Sequence, residues 1–189
     1  MDFIDQFVLN KDVVFVGEFI KNENKTNLLK FKWNIDSTAK KNKSGRVYFF
    51  IEVNPDNTKD ILKIGKSSDK SGLNGTIGFY VNTLSGTPSM TRYAVHNLIY
   101  RKLQEDKKVL VYCKFSNSIK TKIKGIFEEH ESEIPLDMTY VEELCLNEYR
   151  EKFLKYPEWN FQESNTQIPF DLLEKYSMFM EDKKNNKIK

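Results

Sequence analysis

The chain has 189 residues, of which 30% are charged and 39% hydrophobic, and its formal net charge is +3. This length allows one domain with a real hydrophobic core, but so small a net charge does not by itself identify a polyanionic partner. The sequence shows no signal peptide and no apolar run of membrane-spanning length, so we expect a cytoplasmic protein with no membrane partner. Its two cysteines, Cys113 and Cys145, lie inside apolar patterns and are expected to be reduced core residues.

Residues 1–43 predict a lead-in to the main domain. Apolar stretches alternate there with clusters of turn-forming residues. The pattern does not decide between helix and strand for residues 13–20.

Residues 45–66, GRVYFFIEVNPDNTKDILKIGK, predict a two-stranded hairpin. An aromatic and β-branched run is followed by the turn cluster NPDN and by a second apolar run that ends at a glycine. Alternation places Tyr48 and Phe50 on one face of the first strand, and Lys63 and Gly65 on one face of the second. A phenol and an ammonium on paired strands, beside a glycine that admits a ligand, indicate a phosphate site; solvated side chains on a half-exposed sheet are the alternative.

The segment that follows, residues 67–86, is rich in glycine and serine and predicts a flexible loop. Thr87 and Pro88 then predict a helix start, and the helix is expected to extend to about residue 106. Arg92 and His96 lie one turn apart and share a face of this helix. Its expected buried stripe consists of six apolar residues: Met90, Ala94, Val95, Leu98, Ile99 and Leu103.

Residues 108–115, KVLVYCKF, predict a strand, and the polar segment 116–135 predicts a long loop. Thr139 and Glu142 form a capping-box pattern that predicts a helix ending at about residue 155. On this helix Glu148 falls inside the apolar arc, whereas Glu143 points to roughly the opposite side. A carboxylate on an inward face needs a metal ion or a cationic side chain; a structural salt bridge is the alternative. A short amphipathic helix in residues 170–180 and a frayed tail complete the prediction.

Taken in order, these elements resemble the GIY-YIG nuclease family. Residues 45–48, GRVY, look like the first name-giving tripeptide, and residues 63–65, KIG, look like the second, with Lys63 in place of the usual tyrosine. Residues 148–162, EYREKFLKYPEWNFQ, are similar to the closing signature of the family, with Glu148 and Asn160 at its functional positions. The resemblance, which includes the aromatic Tyr80, covers residues 45–162 and is closest to the restriction and phage endonuclease branches.

The resemblance implies an α+β fold with a small mixed β-sheet, entered by the hairpin and flanked by helices. It divides the chain into an N-terminal extension at 1–43, a nuclease-like domain at 44–162, and a C-terminal helix and tail at 163–189. The family also places an arginine soon after the second tripeptide, but the matching position here is near Thr76. Arg92 is the first candidate to replace that arginine, and Lys70 is the second.

The activity implied by the resemblance is hydrolysis of DNA phosphodiester bonds with Mg²⁺ or Mn²⁺ as cofactor. Tyr48, with its pKa lowered by Lys63, by Lys66 or by the metal, would be the general base. Glu148 would bind the metal, and Glu143 is the alternative ligand.

The remaining candidate site residues would act on the phosphate or support the site. Arg92 would donate hydrogen bonds to the phosphate, and Lys66 would add charge there. His96 would hydrogen-bond a phosphate or relay a proton; an ordinary partly exposed histidine is the alternative. Asn160 would orient the hairpin or Tyr48.

Four lysines outside the motifs are candidates for DNA binding: Lys70, Lys120, Lys122 and Lys124. The last three alternate with uncharged residues, as in a strand or loop that follows a phosphate backbone. Double-stranded DNA is the expected partner, and analogy with other nucleases of this size predicts a homodimer or tetramer. A module of the same fold that binds nucleic acid or a protein without cutting is the alternative, and an unrelated α+β binding protein is a third interpretation.

Overall fold

A computed structural model of the chain describes residues 3–23 and 27–185. Seven α-helices are present in these residues: α1 (Phe3–Val8), α2 (Ser37–Lys40), α3 (Leu73–Val81), α4 (Met90–Gln104), α5 (Met138–Phe153), α6 (Phe161–Ser164) and α7 (Phe170–Asn185). The same residues contain seven strands: β1 (Val14–Lys21), β2 (Leu29–Trp33), β3 (Arg46–Val53), β4 (Lys59–Ser67), β5 (Lys108–Phe115), β6 (Ser118–Lys124) and β7 (Glu129–Pro135).

Five of the strands form one sheet in the order β2-β1-β5-β3-β4, and each pairing in it is antiparallel. The predicted α+β class, a hairpin-entered sheet flanked by helices, is confirmed, with an antiparallel sheet where a mixed one was expected. Residues 14–21, whose pattern left helix and strand open, form β1 and pair with β2 and β5. The boundary predicted at residue 43 therefore lies between strands of one sheet, and the division of the chain into an extension and a domain stays a prediction.

Helices cover both faces of the sheet. On one face, α3 and α4 pack over a core that includes Phe50 and Val111. On the other face, α1 and α5 pack over a second core that includes Phe49 and Ile64. Because β4 is an edge strand, groups from both layers can meet beside it.

The glycine-rich segment predicted as a flexible loop contains helix α3, so that prediction is wrong. Gly72 precedes the helix with a φ of 71°, a left-handed conformation that glycine adopts without strain. Burial of one helical face offsets the low helix propensity of the two glycines inside α3. The buried residues recur at helical spacing: Leu73, Thr76, Ile77 and Tyr80.

The segment predicted as a long polar loop contains β6 and β7, which form a two-stranded sheet of their own. Charged and uncharged residues alternate in SIKTKIK and EHESEIP with the period of two that strands require. The prediction of a loop was based on the length and polarity of the segment and did not use this alternation. The register places three lysines opposite three glutamates: Lys120 opposite Glu133, Lys122 opposite Glu131 and Lys124 opposite Glu129.

Two helix starts differ from their predictions. Ser89, not Thr87, caps α4, since its side chain accepts a hydrogen bond of 3.3 Å from the Arg92 amide. Of the predicted stripe on α4, Met90 is 40% exposed and the other five residues are buried.

Asp137 caps α5 by accepting a hydrogen bond of 2.8 Å from the Thr139 amide, so the predicted capping box does not form. The carboxylate of Glu142 is thereby available elsewhere.

The C-terminal helix α7 extends over 16 residues, beyond the short helix predicted. Residues 181–185 of the predicted frayed tail lie in this helix, and residues 186–189 are outside the described residues. Cys113 and Cys145 are free thiols in buried and half-buried positions, as predicted. A search of the described residues finds no helix with the length and apolar character needed to span a membrane.

Candidate active site

A cleft of about 360 Å³ lies beside β4, at the edge of the main sheet. Successive residues of β4 point to opposite faces, so Lys63 and Gly65 approach the cleft from one layer and Ile64 and Lys66 from the other. Polar and aromatic side chains from β3, α3, α4, α5 and the segment before α6 complete the lining: Tyr48, Tyr80, Arg92, Glu142, Trp159 and Asn160. The cleft therefore collects groups that lie far apart in the sequence.

Tyr48 projects from β3 into the cleft opposite Gly65 of β4. A Cβ atom at Gly65 would lie 2.5 Å from the Tyr48 hydroxyl, so the glycine provides the space that the phenol ring occupies. The Tyr48 hydroxyl lies 2.7 Å from the Tyr80 hydroxyl and shares a hydrogen bond with it. Burial raises the pKa of Tyr48 to about 12, with a smaller opposing effect from the Tyr80 hydrogen bond. This direction is opposite to the predicted lowering.

Tyr80 reaches the cleft from α3. In the sequence, Tyr80 belongs to the family resemblance, but it lies in a segment predicted as a loop and has no predicted role. Burial, followed by the neighbouring Tyr48, raises the pKa of Tyr80 well above its ordinary value. Both hydroxyls are therefore protonated near neutral pH in the free protein, and they form a phenol pair at the cleft wall.

Arg92, on the first turn of α4, lies in the cleft beside Tyr80. Its guanidinium carbon is 4.2 Å from the centre of the Phe79 ring, and its Nε donates a hydrogen bond of 3.3 Å to Thr83 Oγ1. Burial lowers the pKa of Arg92 from its usual value, but guanidinium groups remain charged under all ordinary conditions. The stacked ring and Thr83 hold the charged side chain of Arg92 in place at the cleft wall.

A carboxylate in the cleft belongs to Glu142, whose predicted role was only in the capping box of α5. Its Oε2 atom lies 3.1 Å from Lys66 Nζ. Its charge adds to the burial that raises the pKa of Tyr48 and opposes the burial that lowers the pKa of Lys63. Glu142 is only 16% exposed, so this ion pair is largely shielded from water.

Glu148 and Glu143 are both exposed on α5 and do not line the cleft. The predicted apolar arc of α5 included Leu144, but this side chain is 41% exposed and lies outside the core. The predicted arc was therefore centred at the wrong angle around the helix. The true buried stripe contains Val141 and Tyr149, and at about 100° per residue it turns Glu142 inward and Glu148 away. The prediction that Glu148 lies on the inward face of this helix is therefore wrong.

The two lysines of β4 differ in environment. Lys66 is 41% exposed and pairs with Glu142. Lys63 is half-buried, and this burial lowers its pKa, whereas Glu163 and Glu142 act in the opposite direction. The structure thus brings Lys63, Lys66 and Arg92 together as the cationic groups of the cleft.

Asn160 lies at the open edge of β4 and replaces a neighbouring strand there. Its Oδ1 accepts a hydrogen bond of 2.9 Å from the Ile64 amide, and its Nδ2 donates one of 2.8 Å to the Ile64 carbonyl. The Trp159 amide donates a further bond of 2.8 Å to the Leu62 carbonyl. These contacts fix the hairpin strand that carries Lys63 and Lys66.

The remaining predicted residues lie outside the cleft lining. His96 is wholly buried, and its Nδ1 lies 2.7 Å from the Tyr80 carbonyl oxygen, so it supports the Tyr80 segment from below. Lys70 is exposed in the turn before α3. Lys120, Lys122 and Lys124 lie on the separate β6–β7 sheet, each opposite a glutamate.

A metal ion at this site would depend on few protein ligands. Among the described residues no group of three or more His, Cys, Asp or Glu side chains is arranged to hold a metal. Mg²⁺ commonly keeps several waters and is bound through one or two carboxylates. The shielded carboxylate of Glu142, beside the open volume of the cleft, fits that donor set, with Glu163 as a second carboxylate in the lining.

Comparisons with known proteins bear on the fold. No protein-family model matches the sequence, and no match is found among curated proteins. Restriction endonuclease HPY188I in complex with product DNA aligns with a TM-score of 0.44 and 22% identity, over 83% of this chain and 84% of that chain. A mutant of bacteriophage T4 EndoII aligns with a TM-score of 0.52 and 17% identity, over 84% of this chain and 99% of that chain. The likeness to EndoII shows that the two chains share a fold.

Proposed function

We propose that the chain is a divalent-metal-dependent DNA endonuclease of the GIY-YIG type, which hydrolyses phosphodiester bonds in this cleft. One observation carries the proposal: four kinds of side chain converge on one cavity. They are the phenol of Tyr48 from β3, the ammonium groups of Lys63 and Lys66 from β4, the guanidinium of Arg92 from α4 and the shielded carboxylate of Glu142 from α5. The motifs GRVY and KIG and the fold shared with EndoII support the same assignment.

The scissile phosphate would bind between Arg92 and the lysines of β4. Arg92 offers planar N–H donors that match two phosphate oxygens, and its stacking on Phe79 reduces the entropy lost on binding. Arg92 thus supplies from α4 the guanidinium that the family places near Thr76 on the preceding helix. Lys63 adds a partly desolvated charge, which acts more strongly than a fully hydrated one.

Glu142 would hold Mg²⁺ or Mn²⁺, which supplies positive charge for the phosphate and the leaving oxygen. Lys66 now neutralises one oxygen of this carboxylate, and its exposure lets it move to the phosphate when a cation replaces it. The Lys66–Glu142 pair therefore holds the carboxylate in one orientation before substrate binds.

Tyr48 would remove the proton from the attacking water. Its phenol is protonated in the free protein, so cationic charge brought to the cleft would have to lower its pKa. Tyr80 can donate its hydroxyl proton to the Tyr48 oxygen across 2.7 Å and stabilise the phenolate as it forms. Asn160 would act as a positioning residue, since it holds β4 and not the substrate.

A plasmid-nicking assay with Mg²⁺ tests this assignment. We expect Glu142→Gln and Tyr48→Phe to reduce nicking by roughly 10²-fold or more, because each removes a group that acts on the reacting phosphate or water. Glu148→Gln is the matched control on the same helix and should nick like the wild type. Equal nicking by all four proteins, or loss confined to Glu148→Gln, would refute the proposal.

A second candidate is a module that binds DNA in this cleft without cutting it. Two observations favour it: Thr76 stands where the family arginine is expected, and the Tyr48 pKa is raised to about 12. Binding of a labelled DNA duplex that is weakened by Arg92→Gln, with no nicking by the wild type under any divalent metal, would select this function over the enzyme.

A further inference from the structure

The β6–β7 hairpin, residues 118–135, projects from the domain as an arm. Its strands pair with each other in a sheet separate from the main one, and every residue of the arm is exposed except the half-buried Ser132. An isolated two-stranded hairpin has marginal stability in water, because it cannot bury enough apolar surface. The arm is therefore a segment that gains from a partner.

The two faces of the arm differ in character. One face carries the opposed lysines and glutamates, which give it alternating charge. The other face carries Ile119, Ile123 and Ile134, which are 51%, 46% and 45% exposed. At the tip, Ile126 and Phe127 are 89% and 92% exposed. The same face also carries Thr121, Ser132 and His130. We call the five large exposed apolar side chains, at the base, the middle and the tip of the arm, its apolar stripe.

Charge argues against DNA as the occupant of this stripe. The arm contains three lysines and four glutamates, so with a neutral histidine its net charge is −1. A DNA-binding element needs an excess of cations, and each arm lysine is instead opposed by a glutamate on the neighbouring strand. The prediction that Lys120, Lys122 and Lys124 follow a phosphate backbone is therefore not supported by their placement.

We propose that the apolar stripe of the arm docks on the same stripe of a second copy of this chain. An antiparallel, two-fold arrangement would place the tip residues Ile126 and Phe127 of one copy against Ile119 and Ile134 at the base of the other. This arrangement puts the two-fold axis near the cross-strand pair of Ile123 and His130, midway between base and tip, so the Ile123 side chains of the two copies meet there. The charged faces stay in water on the outside of such a dimer.

The available area is sufficient for association. Burial of the exposed parts of the five apolar side chains removes on the order of 600 Å² per copy from water. Two copies then reach about 1,200 Å², the lower end of the range for stable interfaces. The proposal is independent of catalysis, although a dimer would present two clefts to one duplex.

Sedimentation equilibrium on the full chain tests the proposal directly. We expect the wild type to dimerise, and Ile123→Lys and Phe127→Ser to raise the dimer dissociation constant by roughly tenfold or more, since each places a polar group in the stripe. Lys122→Thr, on the opposite face of the same strand, is the matched control and should dimerise normally. A monomeric wild type, or unchanged dimerisation of both stripe variants, would overturn the proposal. Stripe variants that dimerise normally but bind DNA more weakly would also overturn it, in favour of DNA as the occupant.

A cross-linking variant keeps the test informative if a stripe variant fails to fold. His130→Cys places a thiol near the proposed two-fold axis and leaves the apolar side chains intact, so oxidation should yield a disulfide-linked dimer on a non-reducing gel. Lys122→Cys, which points to the charged face, should remain monomeric on the same gel. Absence of the His130→Cys cross-link would overturn the docking geometry.

Discussion

At the scale of single residues, the phenol pair of Tyr48 and Tyr80 determines how the cleft responds to pH. Each hydroxyl is buried, and burial disfavours the charged phenolate, so the pKa of each group is raised. A base that is protonated at neutral pH limits the rate by its small ionised fraction. The proposed enzyme should therefore be an alkaline one.

The first prediction concerns that pH dependence. The pKa of Tyr48 in the free protein is about 12. At pH values below this pKa, the fraction of phenolate rises about tenfold for each unit by which the pH increases. We expect kcat/KM for DNA cleavage to rise with a slope of about one on a logarithmic scale between roughly pH 7 and 9. Rates measured across this range with Mg²⁺ test the expectation.

The control for the pH profile is Tyr48→Phe, which should give a low rate that changes little with pH. A wild-type rate that falls as pH rises would mean that the group limiting catalysis acts as an acid. A pH-independent wild-type rate would assign the base to a group other than Tyr48.

The second prediction concerns the space beside Tyr48. Gly65→Ala introduces a methyl group 2.5 Å from the present position of the Tyr48 hydroxyl, so the buried ring must shift. Since misplacement of a reacting group by about 1 Å can cost about 10²-fold, we expect a loss of cleavage on that order. The purified variant is assayed for nicking and for thermal stability.

Gly86→Ala is the matched control for the glycine substitution, because a Cβ atom at Gly86 meets no atom within 4 Å. It should nick and melt like the wild type. Full activity of Gly65→Ala would show that the Tyr48 position is not critical for the reaction.

At the scale of elements, the edge of β4 depends on one side chain. Asn160 makes two hydrogen bonds to the Ile64 backbone, where a further strand would otherwise pair. Edge strands that are left open are prone to fraying and to pairing with other chains. The segment before α6 therefore closes the sheet and holds the strand that carries two of the cleft cations.

The third prediction follows from this contact. Asn160→Ala leaves the buried amide and carbonyl of Ile64 without these partners, so the free energy of unfolding should fall by about 1–3 kcal/mol. Urea denaturation measures the change. Gln167→Ala, an exposed residue in the loop before α7, is the control and should unfold like the wild type. An unchanged midpoint for Asn160→Ala would mean that β4 holds its place without this contact.

At the scale of the whole molecule, the distribution of charge matters more than the net value of +3. Cations gather in the cleft, whereas the lysines of the arm are opposed by glutamates. Counterion release on DNA binding follows the number of phosphates that the protein neutralises. The two groups of cations should therefore contribute differently to affinity.

The fourth prediction distinguishes the cleft cations from the arm lysines by the salt dependence of DNA binding. Arg92→Gln should weaken binding to a labelled duplex and reduce the slope of log K against log salt by about 0.9, the value for one lost phosphate contact. Lys122→Gln should leave both affinity and slope unchanged. The opposite result would place the DNA on the arm rather than in the cleft.

Much of the fold was predictable because its signals are local. The two apolar, β-branched runs and the NPDN turn between them determine the β3–β4 hairpin, which places Tyr48 opposite Gly65 and Phe50 opposite Lys63. The helical spacing of the apolar residues in α4 shows which face of that helix is buried. Arg92 lies at the start of the helix, and the structure places it in the cleft. These features need only neighbouring residues and the periods of strand and helix.

The sequence by itself determined the hairpin and the α+β class, and it pointed to five residues that line the cleft: Tyr48, Lys63, Lys66, Arg92 and Asn160. Only the tertiary structure decided that α5 presents Glu142 rather than Glu148, that residues 73–81 form a helix carrying Tyr80, and that the pKa of Tyr48 is raised. The physical reason is that helix rotation and desolvation depend on the packing of distant elements. A rotation error of less than a third of a turn replaces one carboxylate by another, and no local pattern reports how deeply a phenol will be buried.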